Sequence, residues 1–342
     1  MKRIIIMMLL LAVFVSGPAF SRDKTDVVWI ANGNHITGEI KKLERGLLTL
    51  KTDYMGEVKI EWTDVVRVQS DYAFQFEKAD GTRVTGRIGE STEPGEIVVG
   101  YRKNSVTYEF KNVVRISQIE STFADRVKGS LSMGYSFTKA SDVAQGNLAF
   151  STTHRTEIRA FTLQGSGISS TTADGVPSRQ ANLSIDMTRY RRDRWYNNFQ
   201  LGFERNDELG LDLRTSLEAA LGRYLIQTNT SELGTLAGLV VTNELLQGDV
   251  ESQQNLEGLL GVDYSRYIYN NPKLDLTAGL YAYPSITDSG RVRTQFDIAL
   301  KWEVYKDLFW NLSYYNTYDS DPPSGSESTN DYGVVTSVGW SF

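Results

Sequence analysis

The chain has no cysteine. Disulfide frameworks and thiolate metal sites are therefore excluded. Histidine is nearly absent too, with His35 and His154 the only two. That removes most routes to a nucleophile–base pair or a zinc centre. Positive charge is in deficit, with a net charge of -6 and a pI near 5.2. Nucleic acid is accordingly not an expected partner, since phosphate binding needs an excess of Lys and Arg. Long apolar runs are also missing. Ile4 to Val15 is about a dozen residues, short of the roughly 20 that a spanning helix needs.

Tyrosine and glycine are plentiful, 18 and 29 residues against 7 prolines. That balance suits a strand-rich chain with tight turns and aromatic belts. The stretch Asp331 to Phe342 shows it in compact form. Tyr332, Val334, Val338, Trp340 and Phe342 fall on one side of an extended strand, and Gly333, Ser337, Gly339 and Ser341 on the other. A last strand ending on an aromatic residue, with Trp340 two residues before Phe342, resembles the signal read by outer-membrane barrel-assembly machinery. Val338, Trp340 and Phe342 are the residues expected to carry that signal.

Residues 1–21 have the three parts of a secretory signal: Lys2 and Arg3, the apolar run, and a small-x-small site at Ala19-Phe20-Ser21. An exported chain with no spanning helix is expected to enter a membrane only as a closed barrel.

Residues 26–71 and 72–120 read as two copies of one unit, offset by about 48 residues. Gly33 to Ile40 aligns with Gly81 to Ile88, Val58 to Trp62 with Val106 to Phe110, and Val65 to Val68 with Val113 to Ile116. Turns are expected at Asn32-Gly33 and Asp80-Gly81. Gly38 and Gly86 fall inside strands, where glycine marks a bend or close approach. The pattern resembles a small SH3-like or Sm-like barrel present twice. RNA binding does not carry over, because about 15 basic residues face 16 acidic ones between Arg22 and Glu120. A folded spacer, plug or docking module is the expectation for this region.

From Val127 to Phe342 the pattern changes to about twelve long alternating segments. Val292, Phe296, Ile298, Leu300, Trp302 and Val304, for instance, alternate with Arg293, Gln295, Asp297, Lys301 and Glu303. The connections alternate as well. Short ones centre on His154 to Thr156, Arg191 to Arg194, Gln227 to Thr230, Tyr269 to Pro272 and Tyr305 to Asp307. Longer ones include Gly165 to Ser178, Leu245 to Gln254, Pro284 to Gly290 and Asp319 to Asn330. Short periplasmic turns with longer external loops are how outer-membrane barrels are built. Tyr190, Trp195, Trp302, Trp310, Tyr314 and Trp340 are the expected interface anchors.

This region is similar to the YdiY-like family of salt-induced outer-membrane proteins, on its alternating strands and its Trp340-Ser341-Phe342 ending. The resemblance implies location and fold rather than an activity.

No catalytic, cofactor or metal site is expected. His154, the one histidine of this region, reads as a polar turn residue beside Arg155 and Thr156, and Asp319, Asp321, Glu327 and Asp331 read as a solvated acidic loop. The lumen is the remaining candidate. Inward-facing charges are expected at Asp186, Glu204, Asp212, Glu218, Glu257, Asp263, Asp275, Asp297 and Glu303, against Lys128, Arg214, Arg293 and Lys301. Tyr196, Tyr281 and Tyr315 are expected to point in and take up volume. The expectation is thus an all-β, non-enzymatic protein: an antiparallel transmembrane barrel of about twelve strands behind two SH3-like repeats. Its role is structural or adaptive to the envelope, with a narrow cation-preferring lumen. A small-solute or ion channel plugged by the periplasmic domain, and a docking module anchored by a barrel, are the alternatives. Its expected partners are outer-membrane lipid, the assembly machinery and a periplasmic protein.

Overall fold

The computed structural model describes residues 23–340, except 90, 92, 102–103, 120–126, 139–142, 157, 172–176, 208–210, 247, 249–251, 271, 306–307 and 322–328. Residues 1–21, expected to be a secretory signal, and Phe342 thus lie outside the described residues. Among the described residues strands dominate, with two 3₁₀ turns at Trp62–Asp64 and Phe110–Asn112. Among the described residues no helix is long and apolar enough to cross a membrane.

The first region is a ten-stranded arrangement in which the same element order occurs twice. The first unit has β1 (Asp26–Ile30), β2 (His35–Glu44), β3 (Leu47–Lys51), β4 (Glu57–Glu61), a 3₁₀ turn, and β5 (Val65–Gln69). The second has β6 (Ala73–Lys78), β7 (Arg83–Gly89), β8 (Glu96–Tyr101), β9 (Asn104–Glu109), a 3₁₀ turn, and β10 (Val113–Gln118). Corresponding glycines meet corresponding obstacles. A Cβ on Gly38 would lie 2.7 Å from the Lys51 carbonyl, and one on Gly86 would lie 2.6 Å from the Gly100 carbonyl. Each glycine lets a third strand's backbone come close to a bent second strand.

One core runs through both units. Val28, Ile40, Leu43, Leu48, Leu50, Phe74, Phe76, Val113 and Ile116 are fully buried in it. The two 3₁₀ turns meet at its centre, where the rings of Trp62 and Phe110 lie 4.6 Å apart and Trp62 Nε1 donates to the Phe110 carbonyl at 2.7 Å. β10 pairs with both β6 and β2, which ties the units together. Asp26 is buried with partners, accepting from Ile40 N–H at 2.7 Å and from the Ser70 hydroxyl. A buried carboxylate so bonded costs far less than a bare one.

The second region is a twelve-stranded antiparallel sheet in which every strand pairs with its sequence neighbour. It runs β11 (Val127–Thr138), β12 (Val143–Arg155), β13 (Arg159–Thr171), β14 (Pro177–Tyr190), β15 (Trp195–Asn206) and β16 (Leu211–Gln227). It continues through β17 (Ser231–Leu246), β18 (Gln253–Ile268), β19 (Leu274–Pro284), β20 (Val292–Tyr305), β21 (Leu308–Asp319) and β22 (Asn330–Trp340). Successive side chains alternate faces. Leu213, Leu217 and Leu221 of β16, Leu239 and Val241 of β17, and Leu260 and Val262 of β18 all stand exposed. Their neighbours Arg214, Glu218, Val240, Thr242, Glu257 and Leu259 turn to the other face, where the last four are buried. The face of leucines and valines is therefore the outer one, the reverse of the first region.

Candidate functional site: the cavity inside the curled sheet

The inner face encloses space. One cavity of about 540 Å3 is lined from eight consecutive strands, β13 to β20, by residues including Gln164, Asp186, Tyr196, Glu218, Glu232 and Asp263. A second, of about 560 Å3, has Ala149 of β12 on one wall and Tyr283 and Arg293 of β19 and β20 on another. Strands β12 and β20 can border one space only if the sheet curls back on itself. The two cavities share Gln164, Gln200, Glu218, Tyr283 and Gln295, so they adjoin.

Their electrostatics differ. The first holds the carboxylates Asp186, Glu218, Glu232 and Asp263, with no Lys or Arg among its described lining residues. Asp186 accepts from the Ser184 hydroxyl at 3.1 Å, and the Tyr281 hydroxyl donates to Asp263. Toward the long connections the charges are paired. Arg214 donates to Glu244 at 2.7 Å and to Glu204 at 2.9 Å. Arg293 grips both oxygens of Glu257, with Nε at 2.8 Å from one of them. Glu244 and Glu257 are 2% and 1% exposed, a burial that carboxylates tolerate only with such partners. Arginine-held carboxylates therefore sit at one end of the interior, and the carboxylates of the first cavity run from its middle toward the short-turn end.

Of the residues singled out from the sequence, Asp186, Glu218 and Asp263 meet in the first cavity, while Arg214 and Arg293 line the second. Asp297 lines a third space of about 450 Å3 beside Asp263, Tyr281 and Tyr315. Lys301 and Glu303 line none of these. The Lys301 ammonium lies 4.4 Å from the centre of the Phe309 ring, and Glu303 faces Lys273 at 3.5 Å near the short connections. Val338 is exposed on the outer face, and Trp340 pairs with Leu308 at the end of β22. His154 lies within β12 rather than in the turn, opposite Val127 and Phe161. The acidic loop is partly spoken for, since Asp319 holds the Arg291 guanidinium at 2.7 and 3.1 Å.

Sequence reasoning missed what the inward tyrosines do. Tyr196, Tyr281 and Tyr315 each pair across the ladder with a glycine: Gly222, Gly261 and Gly333. A Cβ on those glycines would lie 2.2, 2.7 and 2.3 Å from ring atoms. The rings therefore lie along the wall, in the space a side chain would occupy, rather than across the cavity. On the outer face Phe150 lies in the same way over Gly165, at 2.6 Å. Aromatic residues opposite inward glycines were visible in the sequence, but pairing them required the strand register.

Residues 131–342 match the family described as protein of unknown function, DUF481. The match covers most of the chain and nearly all of the twelve-stranded sheet. The chain belongs to the DUF481 family. Its shared part is thus the curled sheet with its lined interior, while residues 26–118, the duplicated region, fall outside the match. A comparison with curated proteins found no match.

Proposed function

We propose that this DUF481 chain is an outer-membrane barrel whose polar lumen prefers cations. In this reading β11 pairs with β22 to close the cylinder, because an open sheet edge cannot face lipid. The outer leucines and valines contact acyl chains, and Trp195, Trp302 and Trp310 sit at the interfaces. The duplicated region, read as two SH3-like units, is periplasmic and lies on the side of the short turns. Barrel-assembly machinery reads the Val338, Trp340 and Phe342 ending, and the role is structural or adaptive to the envelope rather than enzymatic.

One observation carries this reading. Alternate residues put leucine and valine outward and four carboxylates around a cavity with no cation among its described lining residues. Such an arrangement is costly in water on its outer face and anion-repelling on its inner one.

Charge-selective thiol labelling tests it. The chain is free of cysteine, so Gln200→Cys puts a single thiol in the shared cavity wall while keeping every carboxylate. In protein refolded into lipid vesicles, a cationic methanethiosulfonate is expected to react faster than an anionic one. The combined Asp186→Asn, Glu218→Gln and Asp263→Asn changes should remove that preference. Equal rates with both reagents before those changes, or no insertion into lipid, would sink the reading.

A further inference from the structure

The short-turn end of the curled sheet should face water, as exposed connections do. Here it does not. Gln227 and Ser231, which flank the turn between β16 and β17, are 4% and 7% exposed, and Tyr267 at the end of β18 is 0% exposed. What covers them is the duplicated domain.

Its contacts follow an arc round the rim. Glu44 is 4.0 Å from Arg155 at the end of β12. The Arg83 guanidinium lies 5.8 Å from the centre of the Tyr190 ring at the end of β14. A Cβ on Gly81 would come within 2.5 Å of the Arg194 nitrogen, in the turn before β15. Asn229, between β16 and β17, donates to the Val113 carbonyl at 3.0 Å, and its own carbonyl would be 2.3 Å from a Cβ on Gly46. Arg45 pairs with Asp275 of β19 at 2.9 Å and lies 4.6 Å over the ring of Tyr267. An arc from β12 to β19 spans the mouth of the cavity rather than flanking it.

The charges at the centre of this arc are complementary. Arg115 of β10 is largely buried, with its side chain 17% exposed, and bonds Glu77 at 3.2 Å. Burial pulls its pKa down, but Glu77, Glu44, Tyr190 and Glu232 more than reverse this and hold it above the ordinary arginine value. Glu232 also lines the carboxylate cavity. The domain's basic residue and the cavity's acidic end thus share one electrostatic environment across the mouth.

We propose that the duplicated domain is a stopper seated in the short-turn mouth of the lumen, with Arg115 at its centre and Arg45 as its rim contact. The proposal rests on the wet, carboxylate-lined lumen proposed above. With the stopper seated, solutes on its side do not reach the cavity. When it lifts, Arg45 leaves Asp275 and the negative field of the cavity faces the opening.

The test uses the full chain with the Gln200→Cys thiol and a cationic reagent applied from the stopper's side. Arg45→Asp sets two carboxylates against each other at the rim. Asn229→Arg adds bulk from the barrel side without touching the domain's own fold. Both should speed labelling several-fold over the parent, and adding Asp275→Arg to Arg45→Asp should bring the rate back down. Labelling as fast in the parent as in both variants would overturn the stopper while leaving the wet lumen intact. No labelling in any form would overturn the lumen reading, and the stopper with it.

Discussion

The two regions of this molecule use the same alternation in opposite senses. In the duplicated domain alternate residues send Val, Ile, Leu and Phe inward to a shared core, with Trp62 2% exposed at its centre. In the curled sheet alternate residues send them outward, with Leu217 59% exposed, and the interior takes Arg214, Glu218 and Glu257 instead. A strand has two faces and no preference of its own for which is buried. The surroundings decide: protein covers the apolar face of the first region, and lipid covers that of the second in the reading proposed above.

The difference can be broken first from the inside of the small domain. Phe74→Ala empties a fully buried site and is expected to cost about 3–5 kcal/mol. Denaturant titration should then show the domain unfolding early, while heat-modifiable migration of the sheet on gels stays native.

Inside the curled sheet the vulnerable groups are ionic. Arg214→Met leaves Glu204 and the buried Glu244 without their shared cation. A loss of about 3 kcal/mol is expected from an uncompensated buried charge. Adding Glu244→Gln should recover most of it, a recovery readable in urea titrations of the lipid-refolded protein.

On the outer face, Leu217→Arg sharpens the contrast. A guanidinium at the middle of a lipid-facing strand costs about 2–4 kcal/mol, whereas an exposed site in water tolerates it within about 0.5 kcal/mol. Vesicle refolding equilibria that match the parent would argue that this face meets water.

The wall itself is more forgiving. Gly222→Ala puts a methyl where the Tyr196 ring lies, so the ring must swing into the cavity at a cost of about 1–3 kcal/mol. Labelling of the Gln200→Cys thiol should slow, because the displaced ring narrows the lumen beside it.

The smallest effect belongs to Asp80 in the turn between β6 and β7. Burial pushes its carboxyl up, but hydrogen bonds from Lys78 Nζ and Thr82 N–H, each at 2.8 Å, more than reverse that and bring it down to about 2. A depressed carboxylate contributes stability above its ordinary pKa and loses that contribution as pH falls toward 2. Asp80→Asn should therefore flatten the acid limb of the small domain's stability between about pH 4 and 2. An unchanged acid limb would show that the turn contributes nothing measurable.

Much of this was legible in the chain. The 48-residue repeat predicts two units with matching turns, and the structure places Gly38 and Gly86 in equivalent close approaches. Period-two alternation marks which residues of β14 to β20 share a face, because the pleat makes that a purely local property. Asp186, Glu218 and Asp263 were therefore recognisable as one set before the strands were aligned.

Three things needed the tertiary structure. Register decided that Tyr196, Tyr281 and Tyr315 lie over glycines instead of filling the lumen, since cross-strand partners are distant in sequence. Curvature decided that Arg214 and Arg293 line one space while Lys301 sits against Phe309 outside it. Docking decided that Arg45 meets Asp275, 230 residues away, and that Asn229 meets the Val113 carbonyl. Sequence determines what lies within a few bonds, the periodicity and the face each side chain takes. Which faces then meet is set by pairing and packing between segments far apart in the chain, where no local pattern points to the partner.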